Sequence, residues 1–534
     1  MISHTPMCLA SNCFAKQRGT CRLLSISNYM AFFSLFFLLP LSSLLFFLLL
    51  RSRKQLISGG TNLPPSPPRL PLIGNLHQLG PLVHQSLAAL SRCHGPLMLL
   101  HLGYVPTLVV SSPDAACDVL RHQDLVCAGR PAITPAKILL DGDMGFAPYG
   151  DYWRQLRKIF SFHLLSSKRV QSYHLAREEE VAAMMAAIAA RPSTTINLSE
   201  TIYSFANDVL CRVVSGKFKR AEGRNRVFAE LSNENSVLLM AVYLGDYFRW
   251  LGWVDGLLGY VTRARKLRKR WEELLDQVIK EHADRASSNM DGHDEKEEEE
   301  KDFVDVLMSL QGKNEFNLEP GNLKSLLVDI FAAGTDTSYI TIEWAMVELV
   351  RNPPTMQKLQ EEVRRIASRK SLVKDEDLHQ MTYLLAVIKE VLRLHPPAPL
   401  LLPRQTLNDC MIQGYSIPKK TRILVNAWAI GRDPKHWDAP EEFRPERFLD
   451  GTVDFNGTDF RYMPFGSGRR ICPGMQFAIA SLEIALANLV HQFDWELPDG
   501  MEEEFHTREA PGIVVQREGQ LHLVAKPWSE CLEE

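Results

Sequence analysis

The sequence predicts a mainly α-helical protein with small β-sheets, built as one large domain behind an N-terminal transmembrane anchor. Three observations support this prediction: long stretches with apolar residues at helical spacing, a short β-branched run near the start of the domain, and an uncharged apolar run close to the N-terminus. The 534 residues are 46% hydrophobic and 23% charged, which is ordinary for a globular protein with a packed core.

The helices are predicted from apolar spacing and helix-forming composition. The longest runs from about Leu323 to Val350, and its 28 residues would span roughly 40 Å, the width of a domain of this size. Two shorter helices are predicted to begin near Leu175, in LAREEEVAAMMAAIAA, and near Met381, in MTYLLAVIKEVLRLH. The β-branched run from Tyr104 to Ser112 predicts a strand.

The apolar run from Met30 to Leu50 has no charged residue, and about 20 such residues suffice to cross a bilayer. A cleaved signal peptide is the alternative, but its apolar stretch is normally shorter and precedes a small-residue cleavage site, which the sequence lacks. The basic cluster Arg51–Lys54 favours a cytosolic location for the rest of the chain. Prolines between residues 63 and 75 predict a stiff, extended spacer.

Charge and cysteine content argue against two classes of protein. With 60 basic and 63 acidic residues, the net charge of −3 offers no basic surface for nucleic acid, and no nucleic-acid partner is expected. The ten cysteines are scattered without a CxxC pair. This pattern is typical of a reducing compartment and not of a disulfide framework.

The most specific pattern is PFGSGRRICPG, from Pro464 to Gly474, in which three glycines and two prolines surround Cys472. Glycine permits backbone torsions that other residues resist, so the chain can wrap closely around a sulfur and direct amide hydrogens towards it. A single cysteine taken alone is more often a buried, inert core residue. The surrounding pattern favours a thiolate that ligates a metal.

This string resembles the cysteine loop of the cytochrome P-450 family and, in its full wording, that of the plant microsomal members. The positions of the family pattern are occupied by Phe465, Gly468, Arg470, Cys472 and Gly474. Two further motifs precede the loop in the family's order, namely the ExxR helix with Glu390 and Arg393 and the segment that supplies Arg447. The resemblance therefore extends from the anchor to the C-terminus.

The resemblance implies the family's mainly helical fold and a haem b cofactor. The implied cofactor contacts come from Cys472, Trp153, Arg157, Arg404, Arg470, Phe465 and Gly474. Cys472 would be the axial ligand of the haem iron. Trp153 and Arg157, spaced WxxxR, would bind the haem propionates together with Arg404 and Arg470, because a guanidinium pairs with a carboxylate in a fork. The alternative for Trp153 is an aromatic side chain of the core.

Inside the long helix, AGTDTS from Ala333 to Ser338 matches the family's oxygen-binding pattern. A glycine within a helix costs about 1 kcal/mol relative to alanine, and room for dioxygen is a reason for Gly334. Thr337 would bond a preceding carbonyl and donate towards dioxygen, with Asp336 linking it to solvent. The alternative is an internal kink with satisfied hydroxyl groups.

The resemblance implies a monooxygenase that inserts one oxygen atom of O2 into a small lipophilic substrate, because a thiolate ligand favours O–O cleavage. The sequence has no GxGxxG or flavin motif, so electrons from NADPH must arrive through a separate protein, in this family the NADPH-cytochrome P-450 reductase. Cytochrome b5 is a second candidate partner. Lys158 and Arg469 would lie where an acidic partner docks, or else on ordinary solvated surface.

Substrate contacts are implied for three regions: Ala128–Phe146, the middle of the long helix and Pro396–Pro403. They predict a largely apolar pocket. Aromatic residues between Val242 and Tyr260 either contact the bilayer or pack in the core, and the sequence leaves both readings open. The substrate itself is not identified by the sequence.

The expected organisation follows from the anchor and the motifs. Residues 1–29 form an extension, which an error in the gene model would explain because family anchors begin at the initiator methionine. Residues 30–50 form the anchor, residues 51–71 a basic and proline-rich hinge, and residues 72–534 the catalytic domain. The expected location is the endoplasmic reticulum membrane, as a single-pass protein with its catalytic domain in the cytosol.

Two other functions remain as alternatives. One is an isomerase or dehydratase of the same fold that works without O2, and Thr337 argues against it because such enzymes often lack the helix threonine. The other is a non-catalytic haem-binding sensor or electron carrier. Such proteins have little need of an oxygen groove and an apolar pocket together.

Overall fold

The computed structural model describes Ser42 and residues 62–216, 223–288, 301–311, 320–368, 370–500, 505 and 507–528. Apart from Ser42 and Leu70–Leu72, these residues belong to one compact unit. The predicted extension over residues 1–29 lies outside the described residues, and so does the predicted anchor over residues 30–50 except for Ser42. None of the described helices is both long and apolar enough to cross a membrane.

Helices dominate the described chain, as predicted. All three predicted helices are present, and the longest runs over 32 residues from Pro320 to Arg351. In chain order the α-helices are α1 (Val83–His94), α2 (Pro113–Cys117), α3 (Thr134–Leu139), α4 (Asp151–Lys158), α5 (Ser167–Ser172), α6 (His174–Ala189), α7 (Leu198–Ser215), α8 (Arg224–Met240), α9 (Gly252–Leu257), α10 (Tyr260–Ser288), α11 (Phe303–Gln311), α12 (Pro320–Arg351), α13 (Pro353–Ala367), α14 (Asp375–Leu378), α15 (Thr382–Leu394), α16 (Ala427–Ile430) and α17 (Met475–Gln492).

Short strands form small sheets beside the helices. They are β1 (Leu97–Leu102), β2 (Val105–Val110), β3 (Thr195–Asn197), β4 (Arg404–Gln405), β5 (Cys410–Ile412), β6 (Tyr415–Ile417), β7 (Arg422–Val425), β8 (Phe493–Glu496), β9 (Glu509–Ala510), β10 (Gln516–Arg517) and β11 (His522–Pro527). One sheet has the order β1-β2-β7-β4, with β2 parallel to β7. A second has β11 between β3 and β8, antiparallel to both. The strand predicted between Tyr104 and Ser112 is β2.

The long helix α12 passes through the core and packs against α7, α8, α15 and α17. Its Phe331 ring is fully buried and stacks on the ring of Phe228 in α8, with a centroid separation of 4.3 Å. More than three turns further along the same helix, Trp344 stacks on the ring of His395 at 3.9 Å, just after α15 ends. These contacts fix the helix on both sides of its Ala333–Ser338 segment.

Glu390, Arg393 and Arg447 form one buried ion-pair network, as predicted from the motifs. Arg393 Nε and Nη2 donate to the two carboxylate oxygens of Glu390 at 2.7 and 2.8 Å, and Arg447 Nε donates to Glu390 Oε1 at 3.0 Å. Arg393 Nη1 also donates to the carbonyl oxygens of Gly431 and Pro440, both at 2.7 Å. The network therefore fastens the chain that leads to the cysteine loop onto α15.

Candidate active site

A cavity of about 850 Å³ lies within the compact unit. Residues of α12, of the cysteine loop Pro464–Gly474, of the segment Pro397–Arg404 and of the segment Leu140–Phe146 line it. Each of the three regions predicted to contact a substrate therefore contributes to one cavity. Its volume is within the range of pockets that enclose small organic ligands.

The cysteine loop folds sharply at two glycines on its way to Cys472. Gly466 and Gly468 have φ angles of 74° and 68°, which favour glycine, and a Cβ on Gly468 would lie 2.4 Å from the carbonyl oxygen of Leu120. The loop closes with the Cys472 N–H donating to the carbonyl oxygen of Phe465 at 3.0 Å. This geometry turns the Cys472 side chain towards the cavity, through which it is exposed.

Opposing effects act on the pKa of the Cys472 thiol. Burial within the protein raises the pKa of Cys472, whereas the backbone N–H groups of Gly474 and Met475 and the positive charge of Arg157 act to lower that pKa. Gly474 stands immediately before α17, so the thiol faces the N-terminal end of a long helix. The site is built to stabilise a thiolate once a cation ligates the sulfur.

Arg404 and Arg470 are held against the cavity by backbone carbonyls and, for Arg404, also by a carboxylate. Arg404 donates to Asp124 Oδ1 at 2.8 Å and to the carbonyl oxygen of Ser467 at 2.6 Å. Arg470 donates to the carbonyl oxygens of Ala128 and Ala147 at 3.1 and 2.7 Å. Burial and the nearby charge of Arg404 lower the pKa of Arg470 to about 10.

Trp153 and Arg157, one turn apart on α4, both line the cavity. Trp153 is buried and its Nε1 donates to the carbonyl oxygen of Met144 at 3.1 Å. Arg157 Nη1 donates to the carbonyl oxygen of Ile471 at 2.5 Å, directly before Cys472. The predicted WxxxR pair thus joins α4 to the cysteine loop.

Arg130 is a cavity-lining cation that the sequence analysis did not single out. Its Nε donates to the carbonyl oxygen of Gly145 at 2.8 Å, and its Nη1 donates to those of Leu402 and Pro403 at 2.8 and 2.9 Å. Burial, followed by the charges of Arg470 and Arg404, lowers its pKa. The only sequence signal was a basic residue inside a region expected to be apolar.

The donor set fits a haem with two anionic propionates. Arg130, Arg157, Arg404 and Arg470 line one cavity together with a single accessible thiol, that of Cys472. Burial first, and then repulsion from neighbouring arginines, lowers the pKa of Arg130 and of Arg470, and an anionic ligand would relieve that repulsion. A flat, largely apolar group with carboxylates at one edge and a thiolate-binding metal at its centre matches this arrangement.

The Ala333–Ser338 segment of α12 is helical throughout and lines the cavity. Thr337 Oγ1 donates to the carbonyl oxygen of Ala333 at 2.8 Å, which is the backward bond expected from the sequence. A Cβ on Gly334 would lie 3.2 Å from both methyl carbons of Leu210 in α7. The glycine therefore also allows α7 to approach α12 closely, a packing role that the sequence did not indicate.

Asp336 faces α8, where Ser236 Oγ donates to its Oδ2. Burial raises the pKa of Asp336, and the hydrogen bond from Ser236 partly offsets this effect. The sequence predicted that Asp336 links Thr337 to solvent. In the structure, Asp336 instead accepts a hydrogen bond from Ser236 of α8, which also lines the cavity. Ser236 carried no signal of its own in the sequence.

Comparisons with known proteins agree with this geometry. The sequence matches the family model described as cytochrome P-450 over residues 64–524. Cytochrome P-450 71A1 of Persea americana is 49% identical, over 85% of this chain and 91% of its own. An indole-2-monooxygenase of Zea mays is 48% identical over 87% of each chain, and a strychnine-11-hydroxylase of Strychnos nux-vomica is 46% identical over 93% and 98%.

A solved structure of similar fold is a zebra fish cytochrome P-450 with abiraterone. Its TM-score is 0.70 at 25% sequence identity, and the match covers 83% of this chain and 99% of that chain. Since the family model spans most of the chain and the relatives are similar over nearly their whole length, this chain belongs to the cytochrome P-450 family.

Proposed function

We propose that this chain is a haem-thiolate monooxygenase in which Cys472 would ligate the haem iron and α12, which lines the same cavity, would serve the oxygen chemistry. The observation that supports the proposal is a single cavity that contains an accessible thiol, a set of arginines and Thr337. Electrons come from NADPH through the family's reductase, and O2 and a small lipophilic molecule are the other substrates.

When bound, haem supplies the redox-active iron at which dioxygen is activated, and a thiolate ligand favours O–O cleavage. Trp153, Arg157, Arg404 and Arg470 would bind its propionates, with Arg130 as a fifth donor. Phe465 and Gly474 would shape the loop on either side of Cys472, whose Sγ receives the N–H of Gly474. These residues hold the cofactor in place and exclude water from it.

Proton movement is assigned to α12. The Thr337 hydroxyl donates to the Ala333 carbonyl oxygen in this structure, and rotation about its Cβ–Oγ1 bond would direct the proton into the cavity instead. Asp336, whose pKa is raised by burial, precedes Thr337 in the chain and would relay protons towards it, and Ser236 fixes its carboxyl group. Gly334 itself adds no side chain to the cavity, and the Leu210 side chain packs beside it.

The cavity favours a small lipophilic substrate because many of its lining side chains are apolar. They include Phe146, Ile330, Ala333, Leu401 and Val514. Two relatives are named for indole and strychnine. We infer a plant specialised metabolite of similarly lipophilic character. The segment Pro396–Pro403 and α12 would select its shape.

Membrane association is proposed from exposed apolar side chains. Trp250, Trp253 and Leu257 are 62%, 64% and 76% exposed, whereas Tyr243 and Phe248 of the same segment are buried, so only part of the segment packs in the core. Side chains of this kind insert into the interface of a bilayer. Together with the proposed anchor over residues 30–50 and the basic hinge over 51–71, they support an endoplasmic reticulum protein whose catalytic domain, residues 72–534, faces the cytosol.

The decisive experiment is the absorption spectrum of the reduced, carbon monoxide-bound protein. Wild type is expected to show the red-shifted band of thiolate-ligated haem, and Cys472→Ala is expected to lose it. Cys93→Ala, at an exposed cysteine of α1, is the matched control and should keep the band. A thiolate band in Cys472→Ala would contradict the assignment.

A turnover assay distinguishes the proposed monooxygenase from the isomerase and sensor alternatives. With reductase, NADPH and O2, a microsomal preparation should convert a member of a terpenoid, phenolic, indolic or oxime panel into an oxygenated product. Conversion without NADPH and O2 would support the isomerase alternative. Cytochrome b5 is a proposed additional partner and should raise the rate in the same assay.

A further inference from the structure

The segment Met144–Phe146 forms a wall of the cavity, and carbonyl groups of this segment and of Ala147 accept hydrogen bonds from Trp153, Arg130 and Arg470. The carbonyl oxygen of Met144 accepts from Trp153 Nε1 at 3.1 Å and from Arg470 Nη1 at 3.3 Å. Arg130 and Arg470 bind the carbonyl oxygens of Gly145 and Ala147. The N–H groups of Met144 and Phe146 have different partners.

Those amide groups are bound by two acidic side chains. The N–H of Phe146 donates to both carboxylate oxygens of Asp143, at 3.1 and 3.0 Å, and the N–H of Met144 donates to Asp329 Oδ2 at 3.2 Å. Asp329 belongs to α12, two turns before Asp336. The wall is therefore bonded to the long helix through a carboxylate and not only through apolar packing.

The two carboxylates meet at Gly145. A Cβ on this glycine would lie 3.1 Å from Asp143 Oδ2 and 3.3 Å from Asp329 Oδ1. Asp143 is 1% exposed, and Asp329 lines the cavity. Within the described part of the chain, neither carboxylate forms an ion pair with a basic side chain, although Arg130 is near enough to influence both.

Burial, followed by the charge of Asp329, raises the pKa of Asp143 well above its ordinary value, and burial raises the pKa of Asp329 to about 6. Two carboxylates that face each other in a buried site resist simultaneous ionisation, so the pair retains a proton more readily than separate acids. Nothing in the oxygen chemistry described above uses this pair.

We propose that Asp143 and Asp329 are positioning residues that fix the Met144–Phe146 wall against α12 and thereby determine which substrates the cavity accepts. The inference rests on the proposed function, since it concerns the same cavity. Neither acid touches the reacting atoms. Their effect on binding is transmitted through the backbone of the wall and the side chain of Phe146, which lines the cavity.

The test uses the holoenzyme and two nitrogen ligands of different size, imidazole and 4-phenylimidazole, with binding followed by absorbance. Imidazole reports the haem site alone, whereas the phenyl group needs the wall. Asp329→Ala removes a buried acceptor and should weaken 4-phenylimidazole binding by about tenfold, with imidazole affinity unchanged within about twofold. Asp143→Ala should act in the same direction.

Two matched variants sharpen the test. Asp143→Asn keeps a carbonyl acceptor for the Phe146 N–H and resembles the neutral acid, so it should bind 4-phenylimidazole like wild type. Asp141→Asn changes a neighbouring exposed acid and should also have no effect. The double variant Asp143→Ala with Asp329→Ala should lose little more affinity for 4-phenylimidazole than the weaker-binding single variant. Both residues act on the same wall, so their effects should not add.

Equal losses for imidazole and 4-phenylimidazole would overturn the proposal, and so would an Asp143→Asn variant as defective as Asp143→Ala. Unchanged 4-phenylimidazole affinity in Asp329→Ala would overturn it as well. Failure of the proposed function is distinguishable, because it would appear as a missing thiolate band in wild type before any variant is compared.

Discussion

The guanidinium of Arg470 lies over the indole ring of Trp153, with its Cζ 4.3 Å from the ring centroid. The two residues come from the cysteine loop and from α4, and both also bond the carbonyl oxygen of Met144. The stacked pair is thus the point at which the loop, α4 and the cavity wall are joined. A planar guanidinium can stack and donate at the same time, which an ammonium group cannot do equally well.

Arg470→Lys is therefore expected to weaken haem retention. Lysine keeps the charge but loses the stack and the forked donation to Ala128 and Ala147, and we expect haem to transfer to apomyoglobin about tenfold faster, equivalent to ~1.4 kcal/mol. Arg469→Lys, at a half-exposed neighbouring position, is the control and should transfer haem at the wild-type rate. Equal rates for wild type and Arg470→Lys would contradict this role.

Glu390→Gln should destabilise the fold. The substitution leaves Arg393, whose side chain is fully buried, and Arg447 without their shared carboxylate, and removal of one member of a buried pair costs about 3–5 kcal/mol. The free energy of unfolding can be measured from urea titrations followed by circular dichroism. Glu446→Gln breaks the exposed pair with Lys358 and should change that free energy by less than about 1 kcal/mol.

Thr337→Ala should reduce coupling while leaving haem content intact. The Thr337 hydroxyl bonds only the Ala333 carbonyl among the described contacts, so its loss should disturb the helix little. With proton delivery impaired, the ratio of product formed to NADPH consumed should fall by about tenfold, with more peroxide released. Thr337→Ser keeps the hydroxyl and should restore the ratio. An unchanged ratio in the alanine variant would mean that Thr337 is only a helix residue.

The raised pKa of Asp329 gives a pH dependence of stability with a definite sign. Its folded-state pKa of about 6 lies above the ordinary value of 3.8, so the folded protein binds this proton more tightly than the unfolded chain. The free energy of unfolding should therefore decrease as the pH rises from about 4 to about 6, by an amount on the order of 2 kcal/mol.

Asp329→Asn should make the free energy of unfolding nearly independent of pH between about pH 4 and pH 6. Asp141→Asn should keep the pH dependence of wild type. The titratable and charged groups that interact with Asp329 are Asp143, Arg130 and Cys472, and they remain in both variants. Urea titrations at several pH values provide the measurement. Parallel profiles for wild type and Asp329→Asn would contradict the assignment.

Local patterns in the sequence predicted a substantial part of this structure. Helical spacing of apolar residues and helix-forming composition located α6, α12 and α15 to within a few residues. Glycine spacing around Cys472 predicted a tight loop, and φ angles above 60° at Gly466 and Gly468 agree with it. Short elements such as α16 and β4 escaped prediction because tertiary contacts, and not local propensity, define them.

The missed features are contacts between residues far apart in the chain. The Met144 N–H and Asp329 are separated by 185 positions, and Ser236 and Asp336 by 100. Neither pair has a local pattern, since an acid on a helix is ordinarily a solvated side chain. The roles assigned to Thr337, Asp336 and Gly334 in oxygen chemistry, and to the residues around haem, stay predictions that the variants above address.

The strand pairings impose an order on the assembly of the molecule. β2, at residues 105–110, pairs with β7 at 422–425, and β3, at 195–197, pairs with β11 at 522–527. Although β2 can pair with β1 early, most of the chain must be made before β2 meets β7 and before β3 meets β11, and such distant pairings form slowly. Arg157 and Cys472 likewise meet only when the intervening chain has been made. Haem capture is consequently a late event that follows synthesis, and a chain that ends before residue 522 reaches that stage with an open sheet.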